Sequence, residues 1–289
     1  MRRVNGVERV FGVCGHPLRQ SLSPALFTWL FAEDDIAARY ACWETPPEDL
    51  AVFMRDFRAQ ARQGASITLP HKESVIPYLD GLTETARTIG AVNTLFWKDR
   101  ALLGHNTDLE GFLAPLRACA GPETALVLGA GGAARAALAG LAALGVPRVL
   151  VAARDAGKAL RLLADFAPSF AAASPLAWEE RETVPGAVSG GLWVINATPV
   201  GMRGKEEGLS PLSREAFAAA SRPEGCLAYD LVYNPLETAF LTAARAAGWT
   251  GRDGLDMFVG QAAAQYRLWL GRELPLADAR AFLAQRLVA

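Results

Sequence analysis

The sequence predicts an α/β protein of two domains, the second built on a Rossmann-type, doubly wound dinucleotide-binding sheet. Three observations carry this. Strand-like and helix-like segments alternate over the first hundred residues. A glycine-rich loop, Gly129 to Ala134, lies between a β-type run and an Ala/Leu helix. Two later strand-like runs open into polar loops at their C-terminal ends, where open α/β sheets bind ligands. With 289 residues, 51% of them hydrophobic, the chain can fill two cores.

The elements follow in order. Val10 to Cys14 reads as a buried strand, followed by a loop of turn formers through Pro24. Leu26, Phe27, Leu30 and Phe31 then recur at helical spacing. Arg39 to Trp43 is strand-like, and Thr45 with Pro46-Pro47 signals a helix whose apolar stripe is Leu50, Phe53, Met54 and Phe57. Ala65 to Leu69 is a short strand stopped by Pro70, and Ala91 to Trp97 is another. A second α/β unit starts near Thr124: strand 125–128, helix 133–144 ended by Gly145 and Pro147, strand 148–152. Trp193 to Asn196 is read as its third strand and Leu227 to Leu231 as its fourth. Helices 255–270 and 275–287 close the chain.

Composition narrows the function. Lys and Arg number 29 against 30 Asp and Glu, a net charge of −1, so no basic field invites nucleic acid. The four cysteines form no Cys-x-x-Cys pair, and the three histidines are dispersed. Neither a zinc site nor a disulfide framework is expected, and a reducing cytoplasm is. The charged start, Met1 to Arg9, leaves no room for a signal-peptide core. The apolar run from Ala136 to Pro147 is too short to span a bilayer.

Several short strings carry chemistry. Gly129-Ala130-Gly131-Gly132-Ala133-Ala134 departs from Gly-x-Gly-x-x-Gly only at its last position. Its glycines permit a tight turn and close approach of backbone N–H groups to a pyrophosphate at a helix N-terminus, although such strings also serve helix packing. After the next strand come Arg154, Asp155 and Lys158. The two cations suit a 2′-phosphate, hence NADP; Asp155 would repel that phosphate if turned inward, and all three could be a solvated helix start. Lys72 follows Pro70 and His71 at a strand end and is suited to protonating a carbonyl oxygen, yet it could be an ordinary surface lysine. Asp108 could hold that lysine, or cap the helix over 109–116. Ser21 and Ser23 could bind a carboxylate, or a serine could cap the helix that Pro24 begins.

Taken together these strings resemble the shikimate dehydrogenase family. The likeness rests on Pro17–Pro24, Ser66–Lys72, Gly90–Thr94 and Gly104–Asp108, then on Gly129–Ala134, Asn196–Met202, Asp230–Pro235 and Gly254–Gln261, in the family's order. The resemblance implies NADPH-dependent reduction of 3-dehydroshikimate to shikimate. It implies that Ser21 and Ser23 hold the substrate carboxylate, and that Thr68, Asn93, Asp108 and Gln261 bind ring hydroxyls, with Tyr233 nearby. Lys72 and Asp108 become the acid/base pair. Gly131, Gly132 and Ala133 approach the pyrophosphate and Arg154 the 2′-phosphate, with Gly129, Ala130 and Lys158 also binding the cofactor. Asn196 to Met202, with Thr198 and Met202 among them, line the nicotinamide side, and Leu231 and Gly254 also bind the cofactor. A substrate domain of residues 1–106 and 256–289 and a dinucleotide domain of 107–255 are implied, with the C-terminal helices returning to the former.

The chain departs from the family pattern at Gln20, at Phe27-Thr28, and at Ala153-Arg154-Asp155, where Asn-Arg-Thr is usual. The last change removes a hydroxyl and adds a charge, so NADP(H) is expected with NAD kept open. No metal is expected. Partners are small molecules, with neither nucleic acid nor membrane, in a monomer or homodimer. Two alternatives stand beside this: a quinate/shikimate dehydrogenase or paralogue for another cyclic hydroxy acid, and a non-catalytic nucleotide-binding regulator.

Overall fold

The computed structural model describes residues 9–19, 21–220 and 225–288. Gln20 and residues 1–8, both read above, lie outside them. Two compact units emerge: Met1–Thr107 with Gln261–Gln285, and Asp108–Gly260 with Arg286–Ala289.

The first unit runs β1 (Arg9–Gly15), α1 (Ser23–Glu33), β2 (Ala38–Glu44), α2 (Leu50–Ala59), β3 (Gly64–Ile67), β4 (Gly81–Leu82), α3 (Glu84–Ile89), β5 (Thr94–Lys98) and β6 (Ala101–His105). Its sheet has the order β2-β1-β3-β5-β6-β4, with β5 antiparallel to both neighbours. Side chains alternate along β1, so its two faces meet different helices. Phe11 packs on Phe31 of α1 and on Trp269 near the C-terminus. Cys14 faces the cluster of Leu50, Phe53, Met54 and Phe57 from α2, and burial pushes its thiol up to about 12.

Strand β6 and helix α3 were not legible. Ala101-Leu-Leu-Gly-His105 has no β-branched or aromatic residue to mark a strand. The turn that joins it to β5 uses Asp99 and Arg100, both with positive φ (50° and 69°), in place of the Asn-Gly that advertises such a hairpin. Strand β5 starts at Thr94, three residues later than expected.

The second unit runs α4 (Asp108–Leu113), β7 (Thr124–Leu128), α5 (Gly132–Ala143), β8 (Arg148–Ala152), α6 (Ala156–Phe166), β9 (Ala172–Leu176), α7 (Val184–Ala187), β10 (Leu192–Asn196), α8 (Arg214–Ala218), β11 (Leu227–Asp230), α9 (Ala239–Ala246) and β12 (Thr250–Arg252). Helix α10 (Gly254–Leu270) begins here and ends in the first unit, where α11 (Leu276–Val288) follows. All six strands are parallel, in the doubly wound order β12-β11-β10-β7-β8-β9. Val127, Val151, Ile195 and Tyr229 point to one core, with Leu138 and Phe112; Leu126, Leu128, Val194 and Ala228 point to another, with Phe217 and Phe240. Burial on both faces explains the unbroken apolar runs of these strands.

The run Trp193–Asn196 is thus the fourth strand of its sheet. Strand β9, Ala-Ala-Ser-Pro-Leu, was missed because it is an exposed edge containing proline, where pairing and not composition makes the strand. Among the described residues no helix is long and apolar enough to cross a membrane, and no cluster of three or more His, Cys, Asp or Glu could hold a metal ion.

Candidate active site

In the first unit, the turn that carries Lys72 is pinned at each step. Thr68 N–H donates to Cys14 O at 2.9 Å and His71 N–H to Thr68 O at 2.9 Å, while Val92 N–H donates to Lys72 O at 2.7 Å. The ring of His71 is buried, with Nε2 at 2.7 Å from Thr45 O. A carbonyl only accepts, so Nε2 carries the proton. Lys72 is half-buried beside it. Ser21 is half-buried, its N–H bonded to Leu18 O. Ser23 is buried as the first residue of α1; the N-cap is Leu22 and no side chain caps the helix. The capping alternative for these serines therefore fails.

Asn93 is buried within a chain of polar side chains. Its Oδ1 accepts from Thr94 Oγ1 at 2.7 Å and from Thr107 N–H at 2.8 Å, and its Nδ2 donates to Thr107 Oγ1 at 2.9 Å. Gln265 Nε2 donates to Thr94 Oγ1 at 3.0 Å and to Asn93 O at 3.3 Å. Its Oε1 accepts from Ser66 Oγ at 2.8 Å, and Ser66 Oγ lies 2.6 Å from Tyr40 Oη. Tyr40 also bonds Ser23, and burial pushes its hydroxyl pKa well up. Ser23 and Asn93, picked out separately in the sequence, are thus joined through Tyr40, Ser66, Gln265 and Thr94. Gln261 is buried on α10 one turn before Gln265, on the same helix face.

None of Tyr40, Ser66, Thr94, Thr107 or Gln265 was singled out from sequence. The usable signal was the Gln261/Gln265 spacing of four, which puts a second amide behind the first.

In the second unit, Asp108 is buried and is the first residue of α4, one place inside the cap position considered above. Tyr233 is half-buried against Phe258, ring centroids 4.9 Å apart. Gly129 has φ 109°, and a Cβ there would lie 2.9 Å from Ala197 O, so only glycine suits both its backbone and its neighbour. Gly131 is the N-cap of α5 and no side chain caps the helix. A Cβ built on Gly131 would meet nothing within 4 Å. Uncapped N–H groups beside open space fit a pyrophosphate, with Ala130, Gly132 and Ala133 in the same turn.

The loops after β10 and β11 are tied by Asn196 and Asp230. Asn196 Nδ2 donates to Asp230 Oδ1 at 2.9 Å and to Val200 O at 3.1 Å, and Asn196 Oδ1 accepts from Thr198 Oγ1 at 2.6 Å. Asp230 also accepts from Val232 N–H and from Thr238 Oγ1, the residue that caps α9. Burial lifts the Asp230 carboxyl to about 7, with these three donors pulling the other way. Met202 N–H bonds Pro199 O within the same turn. A Cβ on Gly254 would lie 2.5 Å from Leu231 O, so glycine lets α10 start against that strand end.

At the end of β8 the structure changes the electrostatic picture. Asp155 caps α6, its Oδ1 accepting from Lys158 N–H at 3.0 Å, so its charge is spent on that helix. Arg154 and the Lys158 side chain are exposed. The carboxylate that meets Arg154 is Glu206, 52 residues away.

Comparison with known proteins gives a consistent set of relatives. Residues 13–95 match the model of the shikimate dehydrogenase substrate binding domain, and residues 254–281 that of the shikimate 5′-dehydrogenase C-terminal domain. The chain is 46% identical over 283 residues to the shikimate dehydrogenase (NADP(+)) of Oleidesulfovibrio alaskensis, covering 98% of this chain and 97% of that protein. The crystal structure of shikimate 5-dehydrogenase from Thermus thermophilus, in complex with NADP(H) and shikimate, is 36% identical with a TM-score of 0.81. It covers 96% of this chain and 99% of that one. The enzyme from Listeria monocytogenes, in complex with shikimate and NAD, is 28% identical with a TM-score of 0.85. The match covers 98% of this chain and 99% of that one.

Proposed function

Since this chain belongs to the shikimate dehydrogenase family, we propose that Lys72 and Asp108 are its acid/base pair and that Ser21, Ser23, Thr68, Asn93, Tyr233 and Gln261 bind its substrate. The reaction is the reversible NADPH-dependent reduction of 3-dehydroshikimate to shikimate, an oxidoreduction at a CH–OH carbon. Bound NADPH supplies the hydride. The protein's own work is to hold the polyhydroxylated acid and to manage the proton. Lys72 gives a proton to the carbonyl oxygen as it gains charge and receives it back in the reverse direction. Asp108 is the carboxylate member of the pair. Ser21 and Ser23 take the carboxylate, while Thr68, Asn93 and Gln261 read the hydroxyls.

The observation that best supports this reading is the buried polar chain from Ser23 to Thr107. Burying so many hydroxyls and amides is costly unless each is bonded, and a core with no ligand to position is more cheaply made apolar. On the cofactor side we assign Gly129 to Ala133 to the pyrophosphate, Arg154 and Lys158 to the 2′-phosphate, and Thr198, Met202, Leu231 and Gly254 to the nicotinamide. A reducing cytoplasm is the compartment we infer from cysteine usage without a Cys-x-x-Cys pair.

A cofactor-reduction assay offering shikimate or quinate with NADP or NAD tests the substrate, and shikimate with NADP is the expected pair. Lys72→Ala is expected to lower kcat by about 10²- to 10⁴-fold, the usual worth of a positioned proton donor, with the NADPH Kd unchanged. Near-normal turnover in that variant would remove Lys72 from the chemistry.

A further inference from the structure

We propose that Glu206 is a specificity-determining residue for the cofactor, its carboxylate competing with the ribose 2′-phosphate for the guanidinium of Arg154. This rests on the assignment of Arg154 to that phosphate.

Arg154 Nη1 lies 3.5 Å from Glu206 Oε1, with side-chain exposures of 64% and 32%. Both residues line one cleft with Trp178, Arg181, Ser210 and Pro211. The other cation there is already committed. Arg181 donates to Pro211 O and Trp178 O, pairs with Glu182 at 3.0 Å, and stacks on Trp178 at 4.2 Å. Arg154 is therefore the cleft's available cation for a phosphate, and Glu206 holds it.

The position of Glu206 is not that of a drifting surface carboxylate. Its φ is 55°, a left-handed conformation uncommon for a non-glycine residue. Its carbonyl accepts from Gly201 N–H at 3.1 Å and Leu209 N–H at 3.2 Å, which fixes the turn from which the side chain enters the cleft. Its second oxygen, Oε2, is buried and has no hydrogen-bond partner. A left-handed backbone and a buried acceptor without a partner, in a residue that lines the cleft, mark a group kept for what it does there.

Two consequences follow, in the same direction. A dianionic 2′-phosphate must break the Arg154–Glu206 pair and then sit beside a carboxylate. A cofactor with a free 2′-hydroxyl leaves the pair intact and finds an acceptor for its proton. An acid in this role is usual at the end of the second strand of such sheets; here it comes from the loop after β10. Glu206 thereby narrows the gap between NADP and NAD.

The test is fluorescence titration of the intact protein with NADPH and NADH. Glu206→Gln keeps size and backbone bonds and removes the charge. It is expected to tighten NADPH by about two- to five-fold, the scale of an exposed ion pair, while NADH binds equally or more weakly. The gain should shrink at high salt. Arg154→Ala runs in parallel. If it leaves the NADPH Kd unchanged, the phosphate assignment fails and the proposal with it. If Arg154→Ala weakens NADPH but Glu206→Gln leaves the NADPH-to-NADH ratio where it was, or moves it toward NADH, only the role of Glu206 is overturned.

Discussion

His71 spends its ring donor on the carbonyl of Thr45, and Lys72 inherits its place from that bond. Gln265 has a wider reach. Its oxygen takes the proton of Ser66 and its nitrogen faces Thr94 Oγ1 and Asn93 O. Thr94 is left free to donate to Asn93, so one amide sets the direction of each hydroxyl proton along that stretch. Gln265→Glu puts an acceptor against two acceptors, which costs about 1–3 kcal/mol and disturbs Asn93. We expect the KM for shikimate to rise at least about ten-fold, with the NADPH Kd unmoved. An unchanged KM would separate Gln265 from substrate binding.

At the scale of elements, two strand-end loops depend on single residues. Gly129→Ala forces an L-residue to φ 109° against Ala197 O and is expected to cost about 1–3 kcal/mol and weaken NADPH binding, read by urea unfolding and titration. Asp230 joins the loops after β10 and β11 in a pH-dependent way. Its folded value of about 7 stands above the unfolded value of about 4, so the folded state holds a proton that the unfolded chain has lost. The stability this contributes is full below about pH 4 and is lost as pH rises through about 7, at no more than about 1.4 kcal/mol per pH unit. Urea midpoints measured from pH 4 to 8 should show this decline, flattened in Asp230→Asn. Such loops were legible in sequence because a strand, its glycine and its polar neighbours are contiguous. The pairs Arg154–Glu206 and Ser66–Gln265 were not, being 52 and 199 residues apart. Strand β9 was lost for a related reason, since its hydrogen bonds to β8 and not its own residues define it.

For the whole molecule, each unit carries its own core, and changes in one should not be read in the other. Trp269 packs on Phe11 and Phe27 and donates to Leu95 O at 2.9 Å, all within the first unit. Trp269→Ala is expected to lower stability by about 2–3 kcal/mol, less than a fully buried tryptophan would, and to leave the NADPH Kd unchanged. Titration and urea unfolding of the same sample check both halves of that statement. The placement of Gln265 in the first unit also has a bearing on the order in which a ribosome delivers this chain. The glycine-rich loop and the strands around it are complete by residue 260, whereas the amide that links Ser66 to Asn93 arrives only at position 265 of 289. Synthesis therefore completes the strands of the second unit before the first unit can close its polar chain.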